Sequence, residues 1–265
     1  MDRSMSPEGL AEQFPILDFD PFSEAILRPN HEGLEIDFPR HLVLCFFREV
    51  IEKVVREYDG KELYSIRSEV KPFPFYEIEV EGQRIAITQV GVGAPLAVMQ
   101  MEVGVALGSR HVVACGGCGV LDHEIACGHI LLPTSAFREE GTSYHYLPPS
   151  AEVELDEKSL RILEETLKEH GVDYLRTKTW TTDAVYRETE RKAAAYLAKG
   201  CLAVEMEVAS LAAVAKFRGV DYAQYLYAGD AVVAKQWDNR AWTDRSDIRE
   251  NLFWLSVEAC LKMGD

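Results

Sequence analysis

Cys201 to Asp230 reads CLAVEMEVASLAAVAKFRGVDYAQYLYAGD, and the fold class follows from that stretch. Two carboxylates, Glu205 and Glu207, bracket Met206 at its start. From Val208 to Phe217 the residues are nearly all apolar, with Lys216 the one charge. Alanine and leucine dominate, which predicts a helix buried on most of its sides. Gly219 follows where helices commonly stop. Tyr222 to Ala228 is aromatic and aliphatic enough for a strand, with Gly229 and Asp230 at its carboxyl end. In open α/β sheets that end is where ligands bind. Glu207 either caps the helix or presents a carboxylate at the positive end of its dipole. Asp230 either begins a turn or stands as a second acid on the same rim.

The rest of the chain extends the same alternation. His41 to Phe46 is a short buried strand, and Arg48 to Tyr58 has helical spacing. Tyr76 to Val80 and Arg84 to Val90 pair as a hairpin across Glu81-Gly82. A break at Gly91-Val92-Gly93-Ala94-Pro95 leads into a helix that ends at Gly108. His111 to Cys115 is a strand, followed by the turn Gly116-Gly117-Cys118-Gly119. Ile125 to Leu132 and Thr142 to Tyr146 read as extended. Ser159 to His170, Glu188 to Lys199 and about Ile248 to Met263 read as helices, and Thr177 to Asp183 as a polar strand or loop. This order predicts a single α/β domain with a mostly parallel sheet covered on both faces. Residues 1–40 form an irregular arm, and residues 41–265 form the domain.

Composition narrows the function. A net charge of −16 over 265 residues excludes nucleic acid and anionic membranes as partners. No apolar run is long enough to span a bilayer, and the N-terminus lacks a signal-peptide pattern. Six cysteines without a secretion signal read as reduced thiols, which places the chain in the cytoplasm. Cys115 and Cys118 form a C-x-x-C near His123, Cys127 and His129, but no second pair completes a zinc set, so no metal is expected. The turn at 91–95 has Leu96 where a dinucleotide fingerprint needs glycine, which argues against a nicotinamide cofactor.

Val204-Glu205-Met206-Glu207, its 22-residue spacing to Asp230, and the Gly-x-Gly-x-Pro at Gly91–Pro95 resemble the nucleoside phosphorylase family and its nucleosidase relatives. The resemblance runs from about residue 41 to the C-terminus. It implies that family's fold, a mixed and partly barrel-like sheet flanked by helices. It also implies cleavage of a nucleoside's N-glycosidic bond with phosphate as co-substrate, no other cofactor, and assembly as a hexamer or dimer.

On this resemblance Glu207 holds the ribose hydroxyls and Met206 packs against the sugar. Gly93, Gly116 and Gly117 let the backbone approach the nucleoside, and Tyr186 lines the base pocket. Asp230 protonates purine N7. Pyrimidine-cleaving relatives read their base with a glutamine and an arginine, whereas this chain has Thr189 and Arg191. A purine is therefore expected. The family's phosphate arginine and hydroxyl residue are replaced by Ala114 and Gly117, and its phosphate loop by Cys45-Phe46-Phe47-Arg48-Glu49. Arg48 and Lys71 remain as cations for phosphate. Lys71 stands where hexameric relatives insert an arginine from a neighbouring subunit. Glu49 occupies the place of a water-activating glutamate in hydrolytic relatives. Phosphorolysis with weak phosphate affinity is expected. Hydrolysis, or nucleoside binding without catalysis, is the alternative.

Overall fold

The computed structural model describes residues 7–233 and 236–264. The ends of the expected arm and domain, residues 1–6 and 265, lie outside them. In chain order the elements are α1 (Pro7–Gln13), β1 (His41–Cys45), α2 (Arg48–Glu57), β2 (Lys61–Ile66), β3 (Phe73–Val80), β4 (Gln83–Gln89), α3 (Ala94–Leu107), β5 (His111–Val120) and β6 (Ile130–Glu139). Then follow β7 (Glu152–Glu154), α4 (Glu157–Glu169), β8 (Tyr174–Thr182), α5 (Glu190–Leu197), β9 (Cys201–Glu205), α6 (Val208–Arg218), β10 (Asp221–Val233), β11 (Gln236–Asp238) and α7 (Ser246–Leu261).

All eleven strands belong to one mixed sheet that closes on itself. The ring runs β10-β6-β8-β9-β5 and returns to β10, while β1, β4, β3 and β2 extend outward from β5. Parallel pairing occupies the centre, in β4-β1-β5-β10 and in β6-β8-β9. One edge of β5 changes partner along its length. Its first half pairs with β1 as far as Cys45↔Cys115, and β9 takes over at Gly119↔Val204. Among the described residues, the stretch between them has no strand partner on that edge. The sheet therefore opens beside Gly116 and Gly117.

Two helices on the ring are apolar all round. α6 buries every residue from Val208 to Ala215, and it packs on α3, which buries ten of its side chains. Nothing amphipathic marks either one, as expected for a helix with protein on every side. Gly219 closes α6 in the left-handed conformation, φ 65°, as its position in the sequence predicts.

Several details differ from the sequence reading. Residues 125–129 form turns rather than extended chain, with β6 starting only at Ile130. The short strands β7, β9 and β11 were not anticipated. Gly116-Gly117-Cys118-Gly119 is not a turn but the second half of β5. Glycine is accepted inside this strand because neighbouring rings fill the space. A Cβ on Gly116 would lie 3.1 Å from Phe46, and one on Gly117 would lie 3.1 Å from Tyr227. Thr142–His145 is a 3-10 turn rather than extended chain. β2 was not anticipated, because its face is only partly buried and its residues lack alternation. Finally, β10 continues past Ala228, so Asp230 lies within the strand rather than at its end. Ahead of His41, the arm carries α1 and a second short turn, Pro15–Leu17. Arg218 at the end of α6 donates to the carbonyl of Ser23 in the arm at 2.9 Å.

Candidate active site

The two acids that open α6 have different surroundings. Glu205 is the cap: its Oε2 accepts from the backbone N–H of Glu207 and of Val208, both at 2.7 Å. Its Oε1 accepts from the hydroxyls of Thr181 at 2.5 Å and Thr179 at 3.2 Å. These bonds satisfy the carboxylate from four directions, so Glu205 is committed to holding the helix start. Burial still pushes its pKa up, and the hydrogen bonds oppose that rise.

Glu207 occupies the N-cap position, but its side chain makes no capping bond. Its Oε1 accepts instead from the N–H of Gly93 at 2.6 Å. Gly93 has φ 101°, which favours glycine, and begins α3 just before Pro95. Gln100 fixes this turn from behind, accepting from the N–H of Gly91 at 2.8 Å and donating to the carbonyl of Gln89 at 3.0 Å. Glu207 and Gly93 are therefore in direct contact. Burial, then the neighbouring Glu205 charge, raise Glu207 to about 8, against an ordinary 4.5. Met206 between the two acids is half-buried.

Asp230 owes its position to a bulge. Ala228 faces Cys118 and Ala231 faces Val120, so β10 fits one extra residue against β5 at Gly229-Asp230. Bulges re-aim side chains, and they cluster next to active sites. Here the carboxylate comes to lie over Gly119: a Cβ there would be 3.5 Å from Asp230 Oδ1 and 3.0 Å from Val204. Val204 pairs with Gly119 and directly precedes Glu205. Asp230 and the acids of α6 therefore share one rim of the closed sheet. The indole N–H of Trp237 donates to Asp230 Oδ2 at 2.6 Å.

Glu188, which the sequence reading used only to start a helix, belongs to the same rim. Burial, then the charges of Asp230 and Glu139, raise it to about 7. Glu139 is occupied elsewhere, pairing with Lys192 and accepting from Trp180 Nε1 at 2.5 Å. Among the described residues, the Glu188 carboxyl has no hydrogen-bond partner. Tyr186 does not line a base pocket, which corrects the expectation. Residues Val185–Arg187 form a 3-10 turn that leaves Tyr186 96% exposed. Thr189 caps α5 through its hydroxyl, and Arg191 is exposed.

Arg48 and Lys71 line the same cleft of about 440 Å³, between α2 and the β3–β4 hairpin. Glu52, Arg56, Tyr76 and Gln89 are among its other lining residues, so a third cation and one acid join the two cations anticipated. Lys71 bonds to Gln89 of its own chain. Lys71 lies in the connection between β2 and β3, and within its own chain it faces the same cleft as Arg48 on α2. The carboxylate of Glu49 pairs with Arg249 on α7 at 2.9 Å. Ala114 is fully buried inside β5. Cys118 donates to the carbonyl of Tyr227, and no group of three or more metal-ligating side chains occurs among the described residues. No helix among them is long and apolar enough to cross a membrane.

Comparison with known proteins agrees with this geometry. The chain is 25% identical to a guanosine phosphorylase of Halorubrum lacusprofundi over 170 residues, which cover 64% of this chain and 69% of that protein. It is 26% identical to a DeoD-type purine nucleoside phosphorylase of Alkaliphilus metalliredigens over 194 residues, covering 70% and 78%. Among solved structures, the purine nucleoside phosphorylase of Toxoplasma gondii superposes with a TM-score of 0.75 at 20% identity, covering 90% of this chain and 97% of that one. An AMP nucleosidase from Bacteroides thetaiotaomicron superposes with a TM-score of 0.67 at 24% identity, covering 85% and 89%. The model of the phosphorylase superfamily matches residues 40–252, from just before β1 into α7, and the chain belongs to that superfamily.

Proposed function

We propose that this protein cleaves the N-glycosidic bond of a purine nucleoside and transfers the pentosyl group to phosphate. The observation that carries this reading is the gathering of Glu207, Asp230 and Glu188 on one rim, with Glu207 held against the N–H of Gly93. Breaking the C1′–N9 bond leaves positive charge on the sugar and negative charge on the base. Glu207 binds the ribose hydroxyls and favours the cationic sugar, while Met206 packs on its face. Asp230 gives a proton to N7, so the base departs neutral; general-acid help of this kind is worth about 10²–10⁴ in rate. Glu188, ionised above about pH 7, accepts from N1–H and the exocyclic amine of a 6-oxopurine.

Phosphate is assigned to the cleft of Arg48 and Lys71, with Arg56 adding charge. Phosphate is favoured over water as attacker because the carboxylate of Glu49 is taken up by Arg249. Affinity for phosphate is weak, since Arg48 is exposed and pairs with Glu52 at 3.6 Å. We place the enzyme in cytoplasmic purine salvage as a homo-oligomer, a hexamer or dimer. In support, the arm presents Phe22, Ile26 and Leu27 to solvent, at 81%, 108% and 74% exposure.

The test is a panel of nucleosides, with and without phosphate, following free base and the sugar product. Base release that depends on phosphate and yields a sugar 1-phosphate is expected. Equal release in phosphate-free buffer, with free ribose, would establish hydrolysis instead. Binding without release would leave a nucleoside-binding protein.

A further inference from the structure

The hairpin of β10 and β11 returns over the site, and its register decides what reaches Asp230. Ala231 faces Asp238, Val232 faces Trp237 and Val233 faces Gln236. Side chains alternate along a strand, so Asp230 and Val232 share a face, and Trp237 opposite Val232 shares it too. Trp237 is therefore the diagonal neighbour of Asp230, a spacing that long aromatic side chains can bridge. The indole N–H reaches Asp230 Oδ2 at 2.6 Å, although the ring itself is 61% exposed. An indole this open contributes little packing, so its directed contact is the hydrogen bond. Val232, on that same face, lies 3.0 Å from a Cβ built on Gly119, and Asp230 Oδ1 lies 3.5 Å from that point. One oxygen of the carboxyl is thus tied to the hairpin, while the other stays at the sheet.

From this geometry we propose that Trp237 is a positioning residue that holds Asp230 for proton donation and favours the carboxylate formed when the proton leaves. The inference rests on Asp230 acting as the general acid. In the step, the Oδ1–H proton passes to N7 as the C1′–N9 bond breaks and its electron pair moves onto the base. Asp230 is left ionised and the base neutral. The Trp237 N–H donates throughout, first to a neutral carboxyl oxygen and then to a carboxylate. Hydrogen bonds to ionised partners are roughly twice as strong as neutral ones, so this bond tightens along the reaction. An interaction that strengthens toward the transition state raises kcat without improving substrate binding.

The experiment is steady-state kinetics on Trp237→Phe, Asp230→Asn and the double variant, with saturating phosphate and the best purine nucleoside. Trp237→Phe keeps a ring and removes the N–H. It is expected to lower kcat by about tenfold, the loss of roughly one charge-assisted hydrogen bond, with nucleoside KM changed less than twofold. In the double variant the Trp237 change is expected to add no further loss, since it acts through Asp230. Unfolding midpoints within a degree or two of wild type would separate this loss from misfolding. An unchanged kcat in Trp237→Phe, or a further tenfold drop on top of Asp230→Asn, overturns the inference and leaves the general acid intact. Wild-type turnover in Asp230→Asn overturns the general acid and the inference together.

Discussion

Glu207→Gln is expected to make the protein more stable and nearly inactive, and the size of both effects follows from the surroundings of one carboxyl. Glu207 is buried beside Glu205, and the two effects together raise it from 4.5 to about 8. At about 1.36 kcal/mol for each pH unit, its full ionisation costs the folded state roughly 5 kcal/mol, and roughly 3 kcal/mol at pH 7. Coupling to Glu205 makes these upper figures, so a gain of about 2 kcal/mol at neutral pH is the working expectation. The sign is fixed by the direction of the shift. With the folded value raised, the stabilising contribution is complete below the unfolded value near 4.5. It is lost as the pH rises toward and through 8. Glutamine keeps an oxygen for the Gly93 N–H but carries no proton to lose. Urea unfolding of both proteins at pH 5, 7 and 9 should give curves that nearly coincide at pH 5 and separate increasingly above it. Activity should fall by about 10²-fold or more above about pH 8, where Glu207 is ionised and its charge favours a cationic sugar that an amide cannot stabilise. Wild-type and variant stabilities that run parallel from pH 5 to 9 would refute the reasoning, since no buried, reluctant carboxyl would then exist at that position.

Other expectations concern the rest of the rim and the cleft. Asp230→Asn should leave nucleoside binding largely intact and cut turnover by about 10²-fold or more, measured by single-turnover base release. Glu188 ionises above about pH 7, so the KM for guanosine or inosine should fall several-fold between pH 6 and 8, and in Glu188→Gln that dependence should flatten. Lys71→Ala should raise the KM for phosphate more than that for nucleoside, and equal changes in both would remove Lys71 from the phosphate site. Light scattering at micromolar concentration should find a multimer, and a monomer at that concentration would leave the exposed arm residues unexplained.

The fold was legible where burial is complete. α6 and the core of β10 contain long apolar runs, and such runs have few alternatives once glycine marks their ends. What sequence periodicity misses is structure decided by neighbours. The glycines of β5 resemble a turn because glycine is a poor strand former in isolation. They sit in a strand because Phe46 and Tyr227 lie where their side chains would be. Closure of the sheet came only through the family resemblance, which implied a partly barrel-like sheet. It requires β5 to meet β1, β9 and β10, and no local pattern reports a third neighbour.

The site divides along the same line. Glu207, Gly93 and Asp230 could be picked out because the motifs that carry them resemble the nucleoside phosphorylase family, and the structure puts Glu207 on Gly93 and Asp230 on the same rim. Residue type alone does not say which of the two acids of Glu-Met-Glu is free for a ligand, and only the family resemblance pointed to Glu207. Both sit at a helix start, and only the hydroxyls of Thr179 and Thr181 on β8 show that Glu205 is already satisfied. Glu188 was passed over for a related reason. In a strand or a long helix, period identifies the inward face, but a 3-10 turn of three residues has no period to read. That turn leaves Tyr186 exposed and places Glu188, the next residue but one, beside Asp230. The residue that looked aromatic enough to hold a base faces water, and a glutamate two positions later carries the hydrogen-bonding group that can distinguish one purine from another.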